Sequence, residues 1–451
     1  MSQTVKLKKG LNIRLKGKPE KVLAKAEAVD LYAINFDNFL HVTPKLLVQE
    51  NQIVKAGTPL FCDKYNENLH FVSPVSGTVL KIERGDKRKL ISIIVKSDTT
   101  TVYEDFGKAN PNTLSHEQIT EKLLKSGTWI YIRQRPYNII ASPSRKPKSI
   151  FISAIDTAPL APDYDYILKD EEKNFETGIA ALSKLTDGKI HINVSADFPT
   201  SSVYGKATDK VLINKIKGPH PAGNVGIQIH HIDPINKGEE VWVVNPADVA
   251  IIGRVFEKGI YDASKLVALT GSEVKTPKYF KLISGANLKN LFTANVSGLH
   301  NRYISGNVLN GTRITEDGYL GIYDYQLTVI PEGDTHEFLG WALPGFNKFS
   351  VSRTFFSWLT PQKEYSIDSN YHGGERAFVI TGLYEKVLPM DILPMQLFKA
   401  ILAEDIELME NLGIYEVVEE DFALCEFVCP SKIDLQSIVR KGLDTVLRET
   451  R

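Results

Sequence analysis

The chain is poor in several things that particular functions require. Only three cysteines occur in 451 residues, which argues against a disulfide-built scaffold and suits a reducing compartment. Neither charge is in excess, with Lys+Arg and Asp+Glu at 54 each. A protein that reads phosphate backbones carries a basic excess, so nucleic acid is not expected as a partner. A membrane-spanning helix needs about 20 consecutive apolar residues. The apolar runs here, such as residues 91–95, have only the length of strands. The opening Met1-Ser2-Gln3-Thr4, followed by Lys6, Lys8 and Lys9, has no apolar core, so no secretory signal is expected. Histidines are few, and they form neither a Ser–His–Asp order nor a metal-spaced motif. No GxGxxG, no solenoid repeat and no low-complexity tract is present.

What is there is the composition of a soluble globular protein, 43% hydrophobic and 24% charged. Domains cluster at roughly 100–200 residues, so this length predicts three or four of them. A net charge near zero leaves little self-repulsion, which suits a member of an assembly.

Four stretches differ in pattern. Residues 42–95 read as short strands with turns at Gly57, Pro59, Pro74, Gly77 and Gly85, resembling the barrel-sandwich hybrid of biotinyl and lipoyl domains. From about 101 to 256 the period changes. Ser115-His116-Glu117-Gln118 forms a capping box that opens a helix carrying Ile119, Leu123 and Leu124, stopped at Gly127. A buried strand over 149–155, a helix over 171–185 and a strand over 189–194 make a βαβ unit, hence a parallel sheet. Short strands return from 257 to 330. Mixed strands and then helices are expected from Pro331, the helices over 392–412 and 435–448.

Several long motifs are unusual. They are Gly218-Pro-His220-Pro-Ala-Gly-Asn-Val-Gly226, Ile304-Ser-Gly-Asn-Val-Leu309, Phe338-Leu-Gly-Trp341, Asn347-Lys-Phe-Ser-Val-Ser-Arg-Thr354, Gly382-Leu-Tyr-Glu-Lys-Val-Leu-Pro-Met-Asp-Ile-Leu-Pro394 and Ala423-Leu-Cys-Glu-Phe-Val-Cys-Pro430. With the opening Lys8-Lys-Gly-Leu-Asn12, they resemble the A-subunit family of the sodium-translocating NADH:quinone oxidoreductase, in register from the first strand to the last helix. That family is similar to the C subunit of the Rnf complex and the flavoprotein subunit of complex I. The resemblance implies a barrel-sandwich hybrid over 1–100 and a Rossmann-like domain over 101–256. It also implies an SLBB-like β-grasp domain over 257–330 and a mixed region over 331–451.

The relatives carry a flavin and iron–sulfur ligands. The flavin loop corresponds here to residues 126–136, which have a single glycine and bulky Trp129, Tyr131 and Arg133. The second flavin element corresponds to Ala154-Ile-Asp156-Thr-Ala-Pro-Leu160. Without a glycine-rich loop no flavin is expected. A four-iron cluster needs four thiolates. Cys425 and Cys429 are a CxxxCP pair and Cys62 lies in another domain, so the pair reads as a ferredoxin vestige used in packing, with a redox dithiol as the alternative. Lys64 sits where a lipoyl or biotinyl lysine would, yet Tyr65-Asn-Glu-Asn68 lengthens the tip and no carrier motif surrounds it. It reads as a lysine on a solvated turn. If residues 226–232 are a strand, His230 and His231 point to opposite faces and cannot chelate together. The basic clusters at 84–89 and 133–148 and the acids over 404–421 read as solvated faces, with lipid head groups as the alternative contact for the basic ones.

The resemblance implies a peripheral subunit on the cytoplasmic face of the bacterial inner membrane, whose partners are the membrane and other peripheral subunits. It implies no flavin or iron–sulfur centre of its own, quinone as a ligand, membrane contact only through partners, and no activity in the isolated chain. A quinone head group wants aromatic walls and a few donors. The candidates for quinone or partner contact are His220, Trp341, Lys348, Arg353, Phe355, Phe356 and Trp358, with a ligand-free assembly scaffold as the other reading.

Overall fold

The computed structural model describes residues 2–334, 337–340 and 343–449. Turn-punctuated strands build the first body. Leu31–Asn35, Leu90–Ser97, Gly77–Arg84 and Ile53–Val54 form one antiparallel sheet; Pro44–Leu46, Pro59–Asp63 and Asn66–Val72 form a second. Alternate side chains point inward, where Phe36, Phe39, Phe61 and Phe71 meet, the last two stacked with ring centres 4.3 Å apart. The lengthened tip puts Lys64 and Tyr65 on an exposed turn between two strands.

The second body is a seven-stranded sheet. Its order is Thr4–Lys6, Val211–Lys217, Lys189–Ser195, Ser149–Ser153, Val241–Val243, Arg133–Arg135 and Ile139–Ile140. The first five strands are parallel and the last two close as an antiparallel hairpin. The three central parallel strands, Lys189–Ser195, Ser149–Ser153 and Val241–Val243, are largely buried on both faces and are rich in Ile, Val and Phe, whereas the outer two are partly exposed. Ile150 and Ile152 join the core beneath helices Glu172–Ser183 and Pro246–Lys258. The intervening Phe151 meets Val225 and Ile229 on the other face. The two helices touch at Gly253, where a Cβ would lie 1.7 Å from the Asn174 carbonyl oxygen. The capping box at Ser115 is present, its helix running over His116–Lys125.

A six-stranded sheet follows, in the order Thr312–Ile314, Asn301–Ser305, Gln326–Pro331, Ser264–Thr270, Lys278–Ile283 and Glu20–Ala24, with helix Lys289–Asn295 against its own small core. The last region packs helices Pro394–Leu402, Ile406–Asn411, Ala423–Val428 and Leu435–Glu449 around Leu397, Phe398, Val439 and Leu443.

Four expectations change. Residues 226–232 lie in a helix, Val225–Ile232, not a strand. The parallel strand before it must return across the sheet, and Pro221 to Asn224 supply the turn into that return. The helix expected over 392–412 is two helices, broken where Glu404 takes a φ of 57° and Asp405 caps the second through Leu408 N. Among the described residues no strand begins after Pro331, so the mixed strands expected there are not found. The first 24 residues contribute Thr4–Lys6 and Glu20–Ala24 to the second and third sheets rather than to the barrel-sandwich body.

Candidate functional site

Two places in the second sheet have the character of a site, and they contrast. The chain runs from Ser149–Ser153 outward to one side and then crosses to Val241–Val243 on the other. The crevice at the carboxyl ends of these two strands is the switch point, where doubly wound sheets bind ligands. Here it is filled from within. Asn245 Nδ2 donates to the Tyr164 hydroxyl at 2.7 Å, the Tyr325 hydroxyl donates to the Asp248 carboxylate, and the two tyrosine rings lie 6.3 Å apart. Burial pushes the Asp248 carboxyl up to about 7, against the Tyr325 hydrogen bond. Burial also lowers the Lys265 ammonium to about 8, against the pull of Asp248 and Asp324.

Residues 126–136 seal the same side. Gly127, in the left-handed region at φ 71°, turns the chain into Thr128–Tyr131, all four of which are buried. Trp129 stands edge-on to Trp242 at 5.5 Å and donates to the Ala141 carbonyl, while the Tyr131 and Tyr261 hydroxyls meet at 2.8 Å. Bulky, hydrogen-bonded side chains thus fill this loop.

The segment 218–226 closes the neighbouring corner. The His220–Pro221 peptide is cis. His220 Nδ1 lies 3.2 Å from Thr157 Oγ1, its backbone N donates to Asn12 Oδ1, and burial drops the ring to about 4, so it is neutral. Gly226 leaves room for Asp421: a Cβ there would sit 2.5 Å from both carboxylate oxygens. Arg135 reaches Asp421 Oδ2 at 3.3 Å and also pairs with Glu420. Burial raises the Asp421 carboxyl, with Arg135 opposing.

The acids over 404–421 divide: Glu404, Asp405 and Glu407 are exposed, whereas those from Glu410 onward are drawn into contacts with the rest of the fold. Glu404 pairs with Lys441, Glu410 with Lys237, Glu416 with His230 and Glu419 with Arg440. His231 takes the Pro389 carbonyl, so the two histidines have separate partners and together pin the last region to the second body. The basic residues of 133–148 are largely paired as well: Lys146 with Asp187, Lys148 with Asp233 and Glu239.

The other named candidates sit elsewhere. Lys348 pairs with Glu337 and lies 5.3 Å from the Phe355 ring; Arg353 lies 5.6 Å from the Trp358 ring. Phe356 meets Phe346 at 5.7 Å, and Phe338, Phe346, Phe356, Trp358 and Leu359 are all exposed. The structure thus gathers Lys348, Arg353, Phe355, Phe356 and Trp358 on one apolar, cationic surface segment, and among the described residues no hydrogen bond, ion pair or ring contact joins His220 to it. Trp341 lies outside the described residues. Of the thiols, Cys425 and Cys429 are buried, and the Tyr384 hydroxyl donates to Cys429 Sγ at 3.0 Å. Burial pushes the Cys425 thiol far up, which makes it a poor nucleophile. Among the described residues no His/Cys/Asp/Glu group could hold a metal.

The second place is open. At the antiparallel edge of the sheet a cleft of about 560 Å³ lies where three bodies meet. The barrel-sandwich body contributes His41, Tyr65 and Leu69. The hairpin strands and their flanks contribute Pro136, Tyr137, Ile140 and Arg145, and the last region contributes Tyr415 and Leu447. Tyr137 and Tyr415 stand edge to face at 6.4 Å. The hairpin tip carries Tyr137 at φ 80° and Asn138 at φ 53°, where glycine is the usual occupant. Among the described residues, no candidate chosen from sequence lines this cleft. A tyrosine in the place of a turn glycine was its one legible sign, since its walls are drawn from residues about 400 apart.

Family models match three stretches of the chain. Residues 5–98 match the NqrA N-terminal barrel-sandwich hybrid domain, 114–261 the NqrA second alpha/beta domain and 266–316 the NQRA C-terminal domain. The A subunit of a Na(+)-translocating NADH-quinone reductase from Rhodopirellula baltica is 38% identical over 450 residues, 98% of each chain. Its counterpart from Pasteurella multocida is 38% identical over 448 residues, covering 99% of this chain and all of that one. The chain is therefore modular and of NqrA type. It belongs to the family of A subunits of the Na(+)-translocating NADH-quinone reductase. Membership makes it part of a complex in electron and sodium transport, with that complex's other subunits as partners. Among solved structures, an air-oxidised NAD+-reducing [NiFe]-hydrogenase aligns at 12% identity and TM-score 0.38, over 77% of this chain and 67% of that chain. No helix among the described residues is long and apolar enough to cross a membrane.

Proposed function

We propose that this chain is a peripheral subunit on the cytoplasmic face of the membrane, docking on its partners through the 338–359 segment and receiving the quinone head group in the three-body cleft. The cleft carries this reading. Its volume falls in the range of small-molecule sites, and its lining combines flat phenol rings and prolines with a few polar groups. The exposed aromatic segment supports docking, because a contiguous apolar patch of this kind marks a protein contact. The packed switch point and the buried thiols support a subunit without flavin or iron–sulfur centre of its own, those centres residing in partner subunits; in this reading the isolated chain has no activity.

The test is a titration of the purified chain with a short-tailed benzoquinone, read by quenching of Trp and Tyr fluorescence. Saturable quenching is expected, and Ile140→Trp, which fills the cleft from its half-buried wall, should abolish it. A flat wild-type response, or equal binding by Ile140→Trp, removes the quinone reading and leaves an assembly scaffold.

A further inference from the structure

Turning a quinone into a quinol adds two electrons and two protons, one proton to each carbonyl oxygen as C=O becomes C–OH. The complex supplies the electrons from NADH. The protons must come from groups at the ligand, and the cleft can be searched for one.

Its walls hold several ionisable groups, and most are engaged. Arg145 faces Glu240 at 3.4 Å, Lys237 faces Glu410 at 2.7 Å and Glu239 faces Lys148 at 2.9 Å. Asp63 Oδ1 accepts from Thr43 N, and the Tyr415 hydroxyl donates to Glu410 at 2.6 Å, its proton held more tightly through burial and that bond. Tyr65 and Tyr137 add phenol rings to the walls. Carboxylates are already deprotonated at neutral pH, and guanidinium and ammonium groups hold their protons too tightly to give them up there. An imidazole is the side chain that gives and regains a proton in that range.

Among the described residues the cleft has one imidazole, His41. Its Nε2 lies 2.8 Å from Asp444 Oδ1 on the last helix, and among the described residues no protein group is hydrogen-bonded to Nδ1. Asp444 is itself held. Arg440 Nε donates to Asp444 Oδ1 at 2.8 Å, while its Nη1 reaches Glu419 and the Tyr137 carbonyl on the facing wall. Burial works to raise the Asp444 carboxyl, yet the His41 hydrogen bond and the Arg440 charge keep it below its ordinary range, so it is a carboxylate. His41 also has a backbone φ of 60°, a conformation histidine tolerates only at some cost. A ring held by a carboxylate on one nitrogen and bare on the other is oriented for proton transfer.

We propose that His41, positioned by Asp444, is the proton donor to one carbonyl oxygen of the quinone in this cleft; the inference rests on the cleft being the quinone site. The imidazolium breaks its Nδ1–H bond as the reduced oxygen forms O–H, keeps Nε2–H on Asp444, and regains its proton from water at the open mouth. The second proton comes from that water.

The experiment uses the assembled complex and measures kcat and quinone KM against pH. His41→Gln, on a partly exposed side chain, should lower kcat about 10²-fold, the lower end of what a positioned acid contributes, with KM unchanged. It should also remove the fall in rate with rising pH that belongs to the donor. Asp444→Asn keeps the ring but removes the carboxylate that orients it, so kcat should fall with KM unchanged and the pH profile should differ from the wild type. This second variant decides the matter should His41→Gln not assemble. Profiles and kcat that overlay the wild type overturn the proposal. Ile140→Trp separates the two ideas: if it raises quinone KM while His41→Gln is silent, the cleft stands and the donor falls. If Ile140→Trp is itself silent, the cleft reading has failed.

Discussion

The crevice between Ser149–Ser153 and Val241–Val243 and the cleft at the hairpin edge belong to one sheet, yet one is filled and the other open. The crevice is where the architecture favours a ligand, and there Trp129, Tyr131, Tyr164 and Tyr325 are packed with their polar ends satisfied. The cleft exists only because a hairpin, a loop of another body and two helices of a third fail to close on one another. The contrast teaches that the place a fold provides for a ligand can be packed shut while an open cavity forms at a junction between bodies. Glycines and thiols mark the first kind of site, and neither marks the second.

The contrast can be broken first on its filled side. Trp129→Ala deletes a fully buried ring and its bond to Ala141, and should cost about 3–5 kcal/mol by denaturant titration. A loss below 1 kcal/mol would mean that the crevice is loosely filled. A smaller effect comes from His220, whose ring stays neutral in the fold down to about 4. Below the ordinary value of about 6.5 the unfolded chain takes up a proton that the folded chain refuses, so its contribution to stability is lost as pH falls through that window. The loss is about 2 kcal/mol by pH 5. His220→Asn should remove that part of the difference between stabilities measured at pH 7.5 and pH 5, whereas equal differences in both proteins would contradict a buried neutral ring. The smallest effect is expected on the open surface. Phe356→Ser with Trp358→Ser should change the stability of the isolated chain by no more than about 0.5 kcal/mol while weakening its recovery with partner subunits. Unchanged recovery would take the docking role away from that segment.

Much of the fold was legible because it was written locally. Ser115 and Gln118 make a reciprocal cap whatever surrounds them, and residues 435–448 carry an apolar stripe that needs one partner face. His230 and His231 misled because a short apolar run with two adjacent polar residues fits strand and helix equally; the need to cross back over the sheet decided it. Glu404, with its left-handed backbone, split a helix that its apolar periodicity had run together, and Asp405 caps the second piece. The site was less legible. Pairs such as Glu410 with Lys237, or His41 with Asp444, join residues 173 and 403 positions apart, and no local pattern announces them. Lys348 to Trp358 could be named from their chemistry, but their exposure could not.

The short strands near the start of the chain have a consequence for how the molecule comes together. Thr4 pairs with Lys215, and Glu20 with Lys278. On the ribosome these segments emerge early and must wait, unpaired, until distant partners follow. Large loop closures are slow, and unpaired strands are prone to wrong partners in the meantime. The bodies look modular, but the finished chain is stitched through its opening residues, so the second sheet gains this edge only once residue 217 has been made and the third only once residue 280 has.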